Sequence, residues 1–265
     1  MVKIVPIQSF RRKIKLVAPP TADDPKRILA KDFEKKINES RDYKARMAAN
    51  EALFLELQKR DFMSLGDSDL HPSIGKLIGK KYRGKMLFIF GAAHSEILYF
   101  SSFTKEVYFV SLPPINQKLP TNVHQLKYDH ACDVANPTHI QFDHIFSNHV
   151  IEHIHRDDLV KHLSNAYRLL KPGGEYFLIC PSMENISRSP VEFQSFHIGR
   201  YTYHDVAKLA LRLGYQPYRP IINPYLLGVF LPYRHYRLEH LFTRLPTWML
   251  SILGLNSLYI RLKKA

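Results

Sequence analysis

Two histidines bracket a glutamate at His149-Val150-Ile151-Glu152-His153. An imidazole with an ordinary pKa near 6.5 can take a proton from a hydroxyl or an amine around neutral pH. A carboxylate close by can orient it for that work. The same five residues spell H-x-x-E-H, the inverted zinc-peptidase pattern, in which the imidazoles hold the metal and the carboxylate activates water. That chemistry needs a long helix around the motif. Here it follows the apolar run Phe142–Phe146 directly, so no metal centre is expected. His197 is a third candidate base, in the segment Phe196-His197-Ile198-Gly199-Arg200-Tyr201. Arg200 suits a carboxylate or phosphate on an acceptor. His149, His153 and His197 are therefore the catalytic candidates, and Glu152, Arg200 and Tyr201 the substrate candidates.

A second group is defined by smallness. Phe90-Gly91-Ala92-Ala93-His94-Ser95 ends an apolar run with residues that let a ligand approach the backbone. A helix starting there would offer free N–H donors to it.

These groups need elements to hold them. Met86–Phe90 is a continuous apolar run, as in a strand buried on both faces of a parallel sheet. Ser95 is expected to cap a short helix through Phe100. Val107–Val110, Phe142–Phe146 and Tyr176–Cys180 read as further buried strands. Asp158–Leu170 has a helical apolar face, and Lys171-Pro172-Gly173-Gly174 is expected to stop it. Thr202, with Asp205 three residues on, reads as the cap of another helix, closed by Gly214. Tyr215–Pro220 and Ser257–Leu262 read as the final strands. Residues 1–84 form a helical N-terminal extension, with helices expected over 23–62 and a polar interruption at Asn38–Lys44. Residues 85–265 form the main domain, with an aromatic and basic insertion at 221–256. Strands alternating with amphipathic helices predict an α/β, doubly wound, mostly parallel Rossmann-like sheet.

The series "FDHIFSNHVIEHI", then "RLLKPGGEYFLICPS", preceded by Cys132-Asp133-Val134-Ala135, resembles class I S-adenosylmethionine (SAM)-dependent methyltransferases, in particular the methyltransferase type 11 group. The resemblance runs over about residues 85–220 and the last strand. It implies a seven-stranded sheet with its last strand antiparallel, and SAM as cofactor. It also implies that Gly91, Ala92, Ala93 and His94 line the methionine end of SAM. Asp133 and Val134 would meet the adenine, and Asn148 and His149 would line the cofactor at the end of the fourth strand. Members of the group usually carry one acid in the first strand and another ending the second. Here those places fall at Phe88 or Ile89 and at Ser111. A lost carboxylate–hydroxyl contact costs on the order of 1–3 kcal/mol, so SAM affinity is expected to be reduced.

Composition sets the remaining bounds. The 265 residues are 45% hydrophobic and 23% charged, an ordinary globular balance. Cys132 and Cys180 have no metal-ligand spacing, which suits small core residues in a reducing cytoplasm. No apolar stretch follows the basic N-terminus and none is long enough to span a bilayer, so neither a secretory signal nor a membrane span is expected. The formal charge of +14 favours an anionic partner. No nucleic-acid-binding motif is present. The aromatic and arginine residues of 221–256 suggest peripheral contact with a membrane surface. Two functions remain. One is methyl transfer to a hydroxyl or amine of a small molecule or an anionic glycan- or lipid-linked precursor. The other is a methyltransferase-like binding or regulatory protein that no longer catalyses.

Overall fold

The computed structural model describes residues 25–40, 42–60, 78–79, 81–111, 115–126, 128–129, 133–134, 139–181, 199, 201–217 and 257–265. The 221–256 insertion, His197 and Arg200 lie outside them.

Five strands give the sheet its parallel half: β1 (Met86–Phe90), β2 (Glu106–Val110), β3 (Val123–Gln125), β6 (Phe142–Asn148) and β7 (Leu170–Pro181). A two-stranded antiparallel hairpin of β4 (Tyr128–Asp129) and β5 (Asp133–Val134) stands apart. Two further strands, β8 (Tyr215–Pro217) and β9 (Ser257–Lys264), complete a seven-stranded sheet in the order β3-β2-β1-β6-β7-β9-β8. β9 runs antiparallel to both of its neighbours. The doubly wound, mostly parallel architecture and the antiparallel last strand are as expected. Strand order reverses at β1, where β2 lies on one side and β6 on the other.

The apolar runs explain why β1 is central. Phe88 and Phe90 face one layer, with α4 (Leu159–Leu169) and α5 (Tyr203–Arg212). Leu87 and Ile89 face the other, with α3 (His94–Ser101) and the preceding Ile78 and Tyr82. Residues 87–90 are at most 1% exposed. Fully burying each such side chain contributes roughly 1.5–3 kcal/mol. α4 buries Leu159, Leu163 and Ala166, and α5 buries Val206, Ala207 and Ala210. Thr202 caps α5 through the expected reciprocal bonds with Asp205. Two N-terminal helices, α1 (Pro25–Glu39) and α2 (Tyr43–Lys59), bury Ile37 and Leu53 and are split close to the expected polar interruption.

Some boundaries differ from expectation. Lys171–Gly174 does not separate a helix from a strand. It is an irregularity within β7, because Phe142 pairs with Leu170 and His144 already pairs with Glu175. The extra residues loop out while the ladder continues on both sides. Ser95 does not cap α3. Ala93 takes that position, in extended conformation. Alanine has no oxygen to offer, and the first turn is instead closed by Glu96, whose carboxylate accepts from the Ala93 N–H at 3.3 Å. β8 is described over Tyr215–Pro217, the rest of the expected strand lying outside the described residues, and β9 runs on to Lys264.

The N-terminal ends of the strands carry a separate polar cluster. Glu175 bonds Arg261 and meets Lys81 at 3.5 Å. Asp143 accepts from the Met86 N–H at 2.9 Å and pairs with Lys171 at 3.0 Å. The His144 ring stacks on Tyr82 with centroids 4.4 Å apart.

Candidate functional site

The site candidates gather at the carboxyl ends of β1, β2 and β6, where the strand order reverses. Open α/β sheets bind ligands there because the connecting loops part in opposite directions.

β1 ends at Phe90, and Gly91 follows with φ +62°. A Cβ on Gly91 would stand 2.6 Å from Val150 Cγ2. Glycine is therefore required twice over, by the left-handed backbone and by the valine lying against it. The loop that follows spends two N–H groups inside the protein. Ala92 donates to Val110 O at 3.3 Å, and Ala93 donates to Glu96. Phe90 itself is buried and packs against the His162 ring, with centroids 4.6 Å apart.

Ser111 follows the last residue of β2. It is 8% exposed, and its Oγ is buried with no hydrogen-bond partner among the described residues. His94 Nε2, at the first position of α3, is likewise buried without one. A buried hydroxyl or imidazole nitrogen left unsatisfied costs about 1–3 kcal/mol, which a ligand hydroxyl or carboxylate can offset.

β6 carries the centre of the site. Asn148 ends the strand and donates from Nδ2 to Glu96 Oε1 at 2.8 Å. His149 then turns left-handed, with φ +55°. A non-glycine residue in that region costs of order 1–3 kcal/mol, so the surroundings must hold it there. They do so at two atoms. The His149 N–H donates to Ile179 O of β7 at 2.9 Å, and its Nδ1 lies 2.8 Å from Glu152 Oε1. Glu152 is 1% exposed, on the 3₁₀ turn Ile151–His153. A carboxylate only accepts, so an ionised Glu152 fixes the proton on Nδ1 and makes Nε2 the basic atom. His153 sits half-buried at the end of the same turn.

The segment before α5 closes on this turn. The Gly199 N–H donates to Glu152 O at 2.8 Å. A Cβ on Gly199 would lie 2.4 Å from Ile154 O and 2.7 Å from Ile151 O, so no other residue fits without displacement. Tyr201 was expected to face an acceptor. It is 2% exposed and its hydroxyl donates to Ile154 O at 2.7 Å, which makes it an anchor for this segment. Asp133 and Val134 belong to the small hairpin, beside α4. Among the described residues no His, Cys, Asp and Glu group could hold a metal ion. No described helix is long and apolar enough to cross a membrane.

Sequence reasoning missed Glu96 and Val150. Glu96 had a signal, since it stands three residues after the N-cap of α3, where a capping glutamate belongs. The alanine in place of the usual hydroxyl residue hid it.

Residues 109–178 match a family model described as a methyltransferase domain. Three solved structures share the fold. One is a methyltransferase from Haloferax volcanii in complex with the Trm112 methyltransferase activator, 13% identical, with 88% of this chain and 97% of that chain covered and a TM-score of 0.54. Another is a SAM-dependent methyltransferase from Mesorhizobium loti, 10% identical, covering 72% and 96%, with a TM-score of 0.51. The third is a TehB-like SAM-dependent methyltransferase from Corynebacterium glutamicum, 15% identical, covering 82% and 100%, with a TM-score of 0.51. A search of curated proteins finds no match to the sequence. The matched segment lies within a sheet whose strand order gives the chain the fold shared with these SAM-dependent methyltransferases.

Proposed function

We propose that this protein transfers a methyl group from SAM to a hydroxyl or amine of a small molecule or of a glycan- or lipid-linked precursor, with His149 as the general base. The observation that carries this reading is the His149–Glu152 pair. It stands at the carboxyl end of the strand beside the switch point, on a backbone conformation that costs energy to keep.

The residues present fit the cofactor as a reduced set. Ser111 would meet the ribose hydroxyls with one oxygen where a carboxylate would offer two. His94 would meet the methionine end, and Asp133 with Val134 the adenine. When bound, SAM supplies a methyl group already activated by its sulfonium. The chain must then hold the acceptor in line and manage one proton. Nε2 of His149 takes the acceptor's proton. The resulting imidazolium is stabilised by the buried Glu152 carboxylate 2.8 Å from Nδ1. The net charge of +14 supports an anionic acceptor.

A second reading rests on a different observation. The Ala92 and Ala93 N–H groups are engaged internally and Val150 covers Gly91, which favours a domain kept for binding alone. Calorimetric titration with SAM and with S-adenosylhomocysteine (SAH) separates the two. Micromolar binding, followed by SAH release on screening acceptors, is expected for the enzyme. A folded protein that ignores both ligands up to millimolar concentration would sink the transferase reading.

A further inference from the structure

The β1–α3 loop and the turn after β6 are tied together by one buried carboxylate. Glu96 is 3% exposed and works in two directions. Its Oε2 accepts from the Ala93 N–H at 3.3 Å and closes the first turn of α3. Its Oε1 accepts from Asn148 Nδ2 at 2.8 Å. Asn148 immediately precedes His149, whose left-handed backbone sets the direction of the imidazole. The two segments also touch at Gly91 and Val150, where a single added carbon would clash at 2.6 Å. The carboxylate thus fixes the loop that would hold one ligand relative to the histidine that would act on the other.

We propose that Glu96 is a positioning residue of the transfer reaction, coupling the cofactor-side loop to the His149–Glu152 pair through Asn148; this rests on the proposed methyltransferase reading. A carboxylate suits the task because it can accept from both segments at once. A glutamine has one accepting oxygen and must surrender one of the two bonds. A bond to an ionised acceptor is also stronger and shorter than its neutral counterpart.

The polarity of the Glu96–Asn148 bond can be reversed, which gives a test by rescue. Glu96→Gln, Asn148→Asp and the double variant are titrated with SAH by calorimetry, and their melting temperatures are recorded. Each single change is expected to weaken SAH binding by roughly tenfold or more. Asn148→Asp places two carboxylates within hydrogen-bond distance, so it should be the worse of the two. In the double variant the glutamine donates to the new aspartate, and affinity should return to within about threefold of the parent. Singles that bind SAH as the parent does, with only a lower melting temperature, overturn the proposal and leave Glu96 a structural cap. So does a double variant that shows the summed losses. If the parent protein itself does not bind SAH, the transferase reading falls, and this inference with it.

Discussion

Arg46 of α2 and Asp158 at the start of α4 form a buried two-point ion pair, although 112 positions separate them in the chain. Arg46 Nε donates to Asp158 Oδ2 at 2.8 Å, and the side chains are 9% and 5% exposed. Asp158 follows closely on the turn that carries Glu152. The pair therefore clamps the N-terminal helices to the segment leading out of the candidate site. Removing one member strands the other charge in a dry place, which typically costs 3–5 kcal/mol. Arg46→Met should lower the denaturant midpoint accordingly. Arg46→Met combined with Asp158→Leu should recover most of the loss. A single variant as stable as the parent would show that the pair is solvated.

The left-handed backbone at His149 separates stability from chemistry. Asparagine tolerates that conformation better than most residues and can still donate to Glu152. His149→Asn is expected to keep stability within about 1 kcal/mol. It should keep SAH affinity within a few-fold while lowering methyl transfer by roughly a hundredfold or more, since no basic nitrogen remains. Unchanged turnover in this variant removes His149 from the mechanism.

Gly91 and Val150 make a similar separation possible between strain and contact. Gly91→Ala forces a methyl group to within 2.6 Å of the valine on a backbone with φ +62°. The clash and the conformational strain should each cost about 1–2 kcal/mol. Adding Val150→Ala should relieve the first and leave the second. Thermal unfolding of the two variants measures the difference. Full recovery in the double variant would mean that the left-handed backbone costs alanine nothing here.

Acid stability should turn on His144 before it turns on the carboxylates. Burial lowers its pKa from the usual 6.5 to about 4, and its Nδ1 has no partner among the described residues. In the unfolded chain the ring takes up a proton as pH falls through about 6.5, while in the fold it resists until about 4. The unfolded state therefore gains protons first, and stability should decline across that window by at most about 3 kcal/mol. Asp143 and Glu175 act lower down. Burial alone would raise both, but the Met86 N–H with Lys171, and Arg261 with Lys81, outweigh it and lower them. Their contribution is present above the ordinary carboxylate range and is lost as pH falls through their depressed values. His144→Phe keeps the stack on Tyr82 and should flatten the decline between pH 6.5 and 4. Parallel pH–stability curves for the two proteins would count against this account.

The central strands were legible because burial on both faces writes itself as an unbroken apolar run, as in Met86–Phe90 and Phe142–Phe146. The cap at Thr202 was legible because both members of the reciprocal pair lie within four residues. The His149–Glu152 spacing could be read too, but not the backbone reversal that brings the two together. That reversal depends on Ile179, a residue of the neighbouring strand. Lys171–Gly174 misled for a physical reason. Pro-Gly-Gly is turn chemistry, and nothing local tells that β6 pairs with residues on both sides of it. The Arg46–Asp158 pair and the Glu96–Asn148 bond are tertiary facts with no local signature.

The position of β9 has a consequence for biosynthesis. β8 leaves the ribosome well before β9, yet among the described residues the ladder it joins in the sheet is with β9, which inserts between it and β7. Until Ser257–Lys264 emerges, β7 presents an open edge along Glu175–Pro181, rich in large apolar side chains. Such an edge is a template for pairing with other chains. A nascent chain in which β9 has not yet emerged would be sticky along that edge, so β9 completes the sheet and also shields β7 from other chains.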